Sequence, residues 1–235
     1  MILALAFTTV STPPSALAKT FQTSLSFLPP VRNIEDTFRD LLAAALETTA
    51  SQLEWIVHFM AKYPKVQDKL AEEIKEHLQC KGPPSLCDRP KLPYTAAIIH
   101  EALRISSMVP VGVPHTALED TNIAGYRIPK GTLVIGNLYG MHHDPNVWQS
   151  PHEFMPERFI TPEGVFSAGD KAVMAFGTGS RGCIGEGLAQ NQLFLFTVRI
   201  FQKFGVKAVG KLCSTYEFSH TVAPKPFQVI FEPRN

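Results

Sequence analysis

From Ile34 onward apolar residues recur at helical spacing: Phe38, Leu41, Leu42, Ala45, Leu46, Leu53, Ile56, Val57 and Met60. The pattern predicts one long helix that ends near Tyr63, because Pro64 cannot continue it. Pro64 suits the first position of a second helix, in which Val66, Leu70, Ile74 and Leu78 fall every four residues among Lys, Asp and Glu. Its apolar stripe is narrow and its outer face solvated. Residues 80–93 (CKGPPSLCDRPKLP) read as a loop, and a third helix is predicted over residues 94–105. Residues 115–137 then show β-type runs punctuated by Ala124-Gly125 and Pro129-Lys130-Gly131. His142-His143-Asp144-Pro145 reads as a turn, and residues 149–172 as an irregular, ordered segment rich in Pro, Glu, Gly and Phe. A last helix is predicted after Cys183, with Leu188, Ala189, Gln192, Leu193, Phe196, Ile200, Phe201 and Phe204 on one face, followed by short strands from Val206. Residues 1–30 lack a period and form a loosely structured lead-in. The fold class is mainly α with small β-sheets, in one domain over residues 31–235.

Bulk numbers narrow the function classes. With 45% hydrophobic and 18% charged residues the chain can bury a core and is not disordered. A formal net charge of +1 gives no basic surface for nucleic acid. Cys80, Cys87, Cys183 and Cys213 are irregularly spaced with no C-x-x-C pair, so neither a disulfide framework nor a structural zinc site is indicated. No run approaches the roughly 18–20 apolar residues that span a bilayer. The opening MILALAFTTV and Ala16-Leu17-Ala18 make a poor secretory signal, lacking basic residues ahead of the apolar stretch and carrying Pro13-Pro14.

The chemistry concentrates in FGTGSRGCIG, residues 176–185, followed at once by a helix. Glycines at 177, 179, 182 and 185 let the backbone turn tightly and approach a flat partner. Cys183 stands just before a predicted helix start near Ile184, where free backbone N–H groups and the helix dipole favour a thiolate. Arg181 supplies a cation for an acidic group of a bound ligand. A lone Cys beside a glycine-rich turn is also simply a small buried side chain, and both readings stand on composition alone.

The order Phe176, Gly179, Arg181, Cys183, Gly185 matches the heme-binding motif of the cytochrome P-450 monooxygenases, which this chain resembles from about residue 34 to its end. Other pieces follow in that family's order. Glu101-Ala-Leu-Arg104 resembles its E-x-x-R helix, Pro156-Glu157-Arg158-Phe159 its PERF segment, and residues 44–49 (AALETT) its oxygen-activation helix. VPH, GYRIPKGT, HHDP and FMPERF together look like the animal microsomal branch that handles steroids, fatty acids and xenobiotics.

The resemblance implies heme b (iron protoporphyrin IX) as cofactor, with Cys183 as the iron ligand and metal site. Phe176, Gly177 and Gly185 would shape the cradle, and Arg181 and His115 would meet the heme propionates. A thiolate trans to bound oxygen favours O–O cleavage. Glu101, Arg104 and Arg158 would form a buried network holding the heme-binding loop, although an i, i+3 Glu–Arg pair taken alone is ordinarily a surface ion pair. Thr48 and Glu47 would deliver protons at the dioxygen site, although a mid-helix Thr commonly bonds back to its own preceding turn. Ala45 replaces the glycine usual in the family, which narrows the groove there. Retention of Glu47-Thr48 argues for a monooxygenase over a peroxide isomerase.

Residues 43–49, 108–113 and 218–222 would line an apolar pocket for a lipophilic substrate. The implied partners are NADPH-cytochrome P-450 reductase and, as a second electron donor, cytochrome b5, on the cytosolic face of the endoplasmic reticulum membrane. The family's membrane anchor, much of its substrate roof and its Trp/Arg-bearing propionate helix have no counterpart here, so the chain reads as the C-terminal portion of that fold. A truncated, non-catalytic heme-binding or interaction relative is the alternative, and it predicts apolar helix faces left exposed.

Overall fold

The computed structural model describes residues 29–78, 82–169, 173–212, 216–218 and 221–234. Most of the lead-in at residues 1–30, with Cys80 and Cys213, lies outside them. The described residues form five α-helices and four two-stranded antiparallel sheets. This is the mainly helical fold with small sheets that the pattern predicts.

Helix α1 runs Pro29–Lys62 and α2 Pro64–Leu78. They part at Tyr63 because Pro64 has no N–H for the ladder. Helix α3 spans Pro93–Ser106, and α5 spans Glu186–Lys203. The core lies where the C-terminal half of α1 meets these three helices: Trp55, Ile56, Phe59 and Met60 pack with Leu70, Ile74, Ile98, Ala102, Phe194, Val198 and Phe201. Each of the Ile, Leu, Val, Met and Phe side chains among them contributes about 1.5–3 kcal/mol of burial.

Two faces differ from the sequence expectation. On α5 the buried positions are Leu193, Phe194, Thr197, Val198 and Phe201, while Leu188 and Phe196 are exposed. Apolar residues stand on both sides of this helix, so composition alone does not say which face turns inward. On α1 the predicted stripe is buried only from Ser51 onward; Ile34, Phe38, Leu41, Leu42 and Leu46 are exposed.

Polar residues lock the helices together. Gln67, buried on α2, donates to the carbonyls of Met60 and Val206 and accepts from the Val206 N–H. Glu73 of α2 accepts from the backbone N–H groups of Tyr94 and Thr95 and from the Thr95 hydroxyl. It thereby serves N–H groups at the start of α3 that the helix itself leaves without acceptors.

The sheets sit at the periphery. Strand β1 (His115–Thr116) pairs with β4 (Leu133–Val134), and β2 (Thr121–Ile123) with β3 (Tyr126–Ile128). Ala124 and Gly125 both have positive φ, as a tight hairpin turn requires. Strand β5 (Phe204–Ala208) pairs with β8 (Val229–Pro233), and β6 (Tyr216–Phe218) with β7 (Val222–Pro224). The segment read as a turn at His142 is partly helical: α4 covers Leu138–His142, capped by Asn137 accepting from the Gly140 N–H, and buries His142. Among the described residues no helix is long and apolar enough to cross a membrane.

Burial lowers the pKa of His58, His100 and His142 to about 4 each. Unfolding therefore takes up protons below about pH 6.5, and stability that is complete above that value falls as pH drops toward 4. Burial raises the carboxyl pKa of Glu54 and Glu73, which offsets part of this loss at the acid end. Urea midpoints measured from pH 7 to pH 4 are expected to fall steadily; a flat profile would contradict the burial of these rings.

Candidate functional site

The loop from residue 173 to 185 is shaped by its glycines. Gly177 and Gly179 adopt φ of +71° and +70°, which side-chain-bearing residues rarely hold. A Cβ on Gly182 would come within 3.3 Å of the Gly179 carbonyl. The backbone closes on itself through Gly177 N–H to Met174 O (3.0 Å) and Cys183 N–H to Phe176 O (2.8 Å). Cys183 is exposed, and next to it Ile184 and Leu188 are 92% and 62% exposed. Helix α5 begins at Glu186, two residues later than the expected start near Ile184, with Gly185 at its N-cap. Arg181 lies in a short 3-10 turn, Gly179–Arg181, and is also exposed.

Behind this loop lies a charged network. Glu101 and Arg104 are 0% exposed and form a two-pronged pair, Arg104 Nε to Glu101 Oε2 at 2.7 Å and Nη2 to Oε1 at 2.8 Å. The remaining Arg104 donors reach the carbonyls of His142, Pro151 and Glu153, so all five guanidinium N–H groups are used. Glu101 Oε1 also accepts from the Met155 N–H and from Arg158 Nε. Arg158, in the 3-10 turn Pro156–Phe159, donates on to the carbonyls of Gln149, Ser150 and Glu153. The Arg104 guanidinium lies over the buried Trp148 ring at 5.1 Å and that of Arg158 at 6.0 Å.

These charges are core, not a surface pair. The network grips residues 142 and 149–155 directly, whereas the cysteine loop is reached through neighbours: Val173 packs beside Trp148, Phe159 and Ala97. Trp148 is a member that sequence reasoning missed, since a lone Trp after Asp-Pro carries no motif.

The remaining predicted residues occupy other elements. Thr48 Oγ1 donates to the Ala44 carbonyl at 2.7 Å, the local back-bond open to a mid-helix Thr. Glu47 Oε1 accepts from the Thr221 hydroxyl at 3.2 Å, and the Val222 N–H donates to Met108 O at 2.8 Å. These two bonds bring together residues 43–49, 108–113 and the tail around 221–222. His115 is exposed on β1, opposite Val134. A cleft of about 540 Å³ among Trp55, Phe59, Val111, Tyr139, His143 and Val222 takes in Pro110, Val111 and Val222 of the segments expected to line the substrate pocket, but none of the expected catalytic, heme-binding or network residues.

The donor set fits a heme. An accessible thiol on a close-approach glycine loop, flanked by exposed Ile184 and Leu188, offers one soft ligand on an open apolar surface. Among the described residues no group of His, Cys, Asp and Glu could hold a metal ion by itself. A single cysteine ligand is compatible with an iron whose other ligands come from a macrocycle.

A family model described as cytochrome P450 matches residues 29–231. Among curated proteins the chain is 39% identical over 208 residues to cytochrome P450 2L1 of Panulirus argus, covering 87% of this chain and 42% of that protein. It is 39% identical over 209 residues to farnesoate epoxidase of Bombyx mori, covering 88% and 42% respectively. A solved zebrafish cytochrome P450 structure with progesterone superposes with a TM-score of 0.77 at 35% identity, covering 83% of this chain and 44% of that one. The chain spans less than half the length of these relatives.

Proposed function

This chain belongs to the cytochrome P450 family, and we propose that it carries the cysteine-ligand portion of a heme-dependent monooxygenase that inserts one oxygen atom from O2 into a lipophilic organic substrate. The observation that carries this is the accessible Cys183 on a glycine-shaped loop backed by the buried Glu101–Arg104–Arg158 network. When bound through a thiolate, heme supplies dioxygen activation and favours O–O cleavage. Cys183 holds the iron, with its own N–H tied back to the Phe176 carbonyl. Phe176, Gly177 and Gly185 shape the cradle. Arg181, exposed, supplies a cation for the propionates of heme b, and the exposed His115 ring offers them an N–H donor.

Thr48 holds a proton at Oγ1, and Glu47, one residue earlier on α1, is the acid that replenishes it. Residues 43–49 and 108–113 with Val222 exclude water from the substrate. Support for a lipophilic substrate comes from relatives: one is named for farnesoate epoxidation, another was solved with progesterone. Electrons come from NADPH-cytochrome P-450 reductase, with cytochrome b5 as a second donor, at the cytosolic face of the endoplasmic reticulum membrane. Residues 31–235 act as a partial catalytic domain.

A second reading, a non-catalytic heme-binding or interaction relative, draws on the exposed Ile34, Phe38 and Leu46 of α1. Incubation with heme, reductase, NADPH, ¹⁸O₂ and a steroid or fatty-acid probe separates the two. One ¹⁸O per product molecule is expected. Heme binding with no labelled product under any probe would favour the second reading.

A further inference from the structure

We propose that His142 is a positioning residue that couples the Glu101–Arg104 helix to the cysteine loop, as the acceptor that fixes Met174. The Met174 N–H donates to His142 Nε2 at 3.0 Å, so Nε2 carries no proton. The Ser107 hydroxyl spends its single proton on the Arg104 carbonyl at 2.8 Å. The 2.9 Å contact between Ser107 Oγ and His142 Nδ1 therefore has Nδ1–H as its donor. The tautomer follows by elimination, and the chain of bonds has one direction: Nδ1–H to Ser107, Ser107 to Arg104 O, Met174 N–H to Nε2.

Both ends of this link are held. Arg104 Nη1 also donates to the His142 carbonyl at 2.7 Å, so the residue is gripped at backbone and ring by the end of α3. Ser107 adopts φ 40°, ψ 51° at the C-cap of α3, a left-handed conformation uncommon for serine, which brings its hydroxyl back to the Arg104 carbonyl. On the far side, the Met174 carbonyl accepts from Gly177 N–H, and the Phe176 carbonyl accepts from Cys183 N–H. His142 is fully buried. A neutral ring is what the geometry requires, and burial, with His143, Arg104 and His100 facing it, keeps the ring neutral down to about pH 4. The Glu101–Arg104–Arg158 network itself bonds residues 142 and 149–155, and His142 extends its reach to residue 174.

The role toward heme rests on the function proposed above, so the test has an arm that needs no heme. Amide hydrogen exchange in the full chain is compared for wild type, His142→Phe, His142→Gln and Ser107→Ala. His142→Phe keeps a ring but no acceptor, and Met174 exchange is expected to rise at least about tenfold. His142→Gln places an amide oxygen near Nε2 and restores much of the protection. Ser107→Ala frees the tautomer and gives an intermediate rise, which serves if the ring variant misfolds.

In heme-loaded protein the reduced, CO-bound band of thiolate ligation is expected to weaken in His142→Phe and recover in His142→Gln. Unchanged Met174 exchange in both His142→Phe and Ser107→Ala overturns the proposal, as does faster exchange with an undiminished thiolate band. If wild type shows no such band, the functional reading fails. The link is then judged on Cys183 amide exchange, which must rise with that of Met174.

Discussion

Arg104→Ala is expected to destabilise the chain by about 3–5 kcal/mol, a loss that lowers the melting temperature by roughly 6–20 °C. The cause is what remains behind. Glu101 is 0% exposed and would keep only Arg158 Nε and the Met155 N–H as partners. The carbonyls of His142 and Pro151 would each lose their Arg104 donor. Against a total stability of about 5–15 kcal/mol this is a large fraction. Arg104→Lys offers three donors in place of five and is expected to recover only part of the loss. As a contrast, Lys207 pairs with Glu232 at 2.7 Å with both side chains substantially exposed, and Lys207→Ala is expected to cost under about 1 kcal/mol. Thermal melts by circular dichroism measure all three. An Arg104→Ala melt within about 2 °C of wild type would show that the network is dispensable.

Cys183→Ala is expected to do the reverse, sparing the fold and removing the chemistry. The side chain is exposed and belongs to neither hydrophobic core cluster, so stability should stay within about 0.5 kcal/mol of wild type. Heme affinity should fall by more than the roughly 10–100-fold that loss of an outer-shell partner costs, and labelled product should become undetectable. Isothermal titration and the same melts provide the two readouts. A variant that unfolds would assign Cys183 a structural role, and one that turns over normally would exclude it as the iron ligand.

Some of this was legible in the sequence because it is local. Helix α2 starts at Pro64 and α3 contains Glu101 and Arg104, both fixed by spacing and by proline. The Gly177 and Gly179 turns follow from residues that alone tolerate positive φ. What escaped depends on distant partners. Gln67 is buried in the place a periodic reading gives to Val66, because its amide satisfies backbone groups of α1 and β5. Trp148 and His142 belong to the network through contacts with α3 that lie about forty residues away in sequence, which no local pattern encodes. The inward face of α5 was misjudged at Leu188 and Phe196 for a related reason: a helix with apolar residues on both sides is oriented by its neighbours. The roles of Thr48 and His115 came from resemblance alone, and the Thr48 hydroxyl is engaged with its own helix.

The most direct test of Cys183 as a heme-thiolate ligand is the absorption spectrum of the chain reconstituted with heme, reduced and exposed to carbon monoxide. A band characteristic of thiolate ligation, lost in Cys183→Ala, is the expected result. Its absence from wild type, or its persistence in the alanine variant, would contradict the assignment.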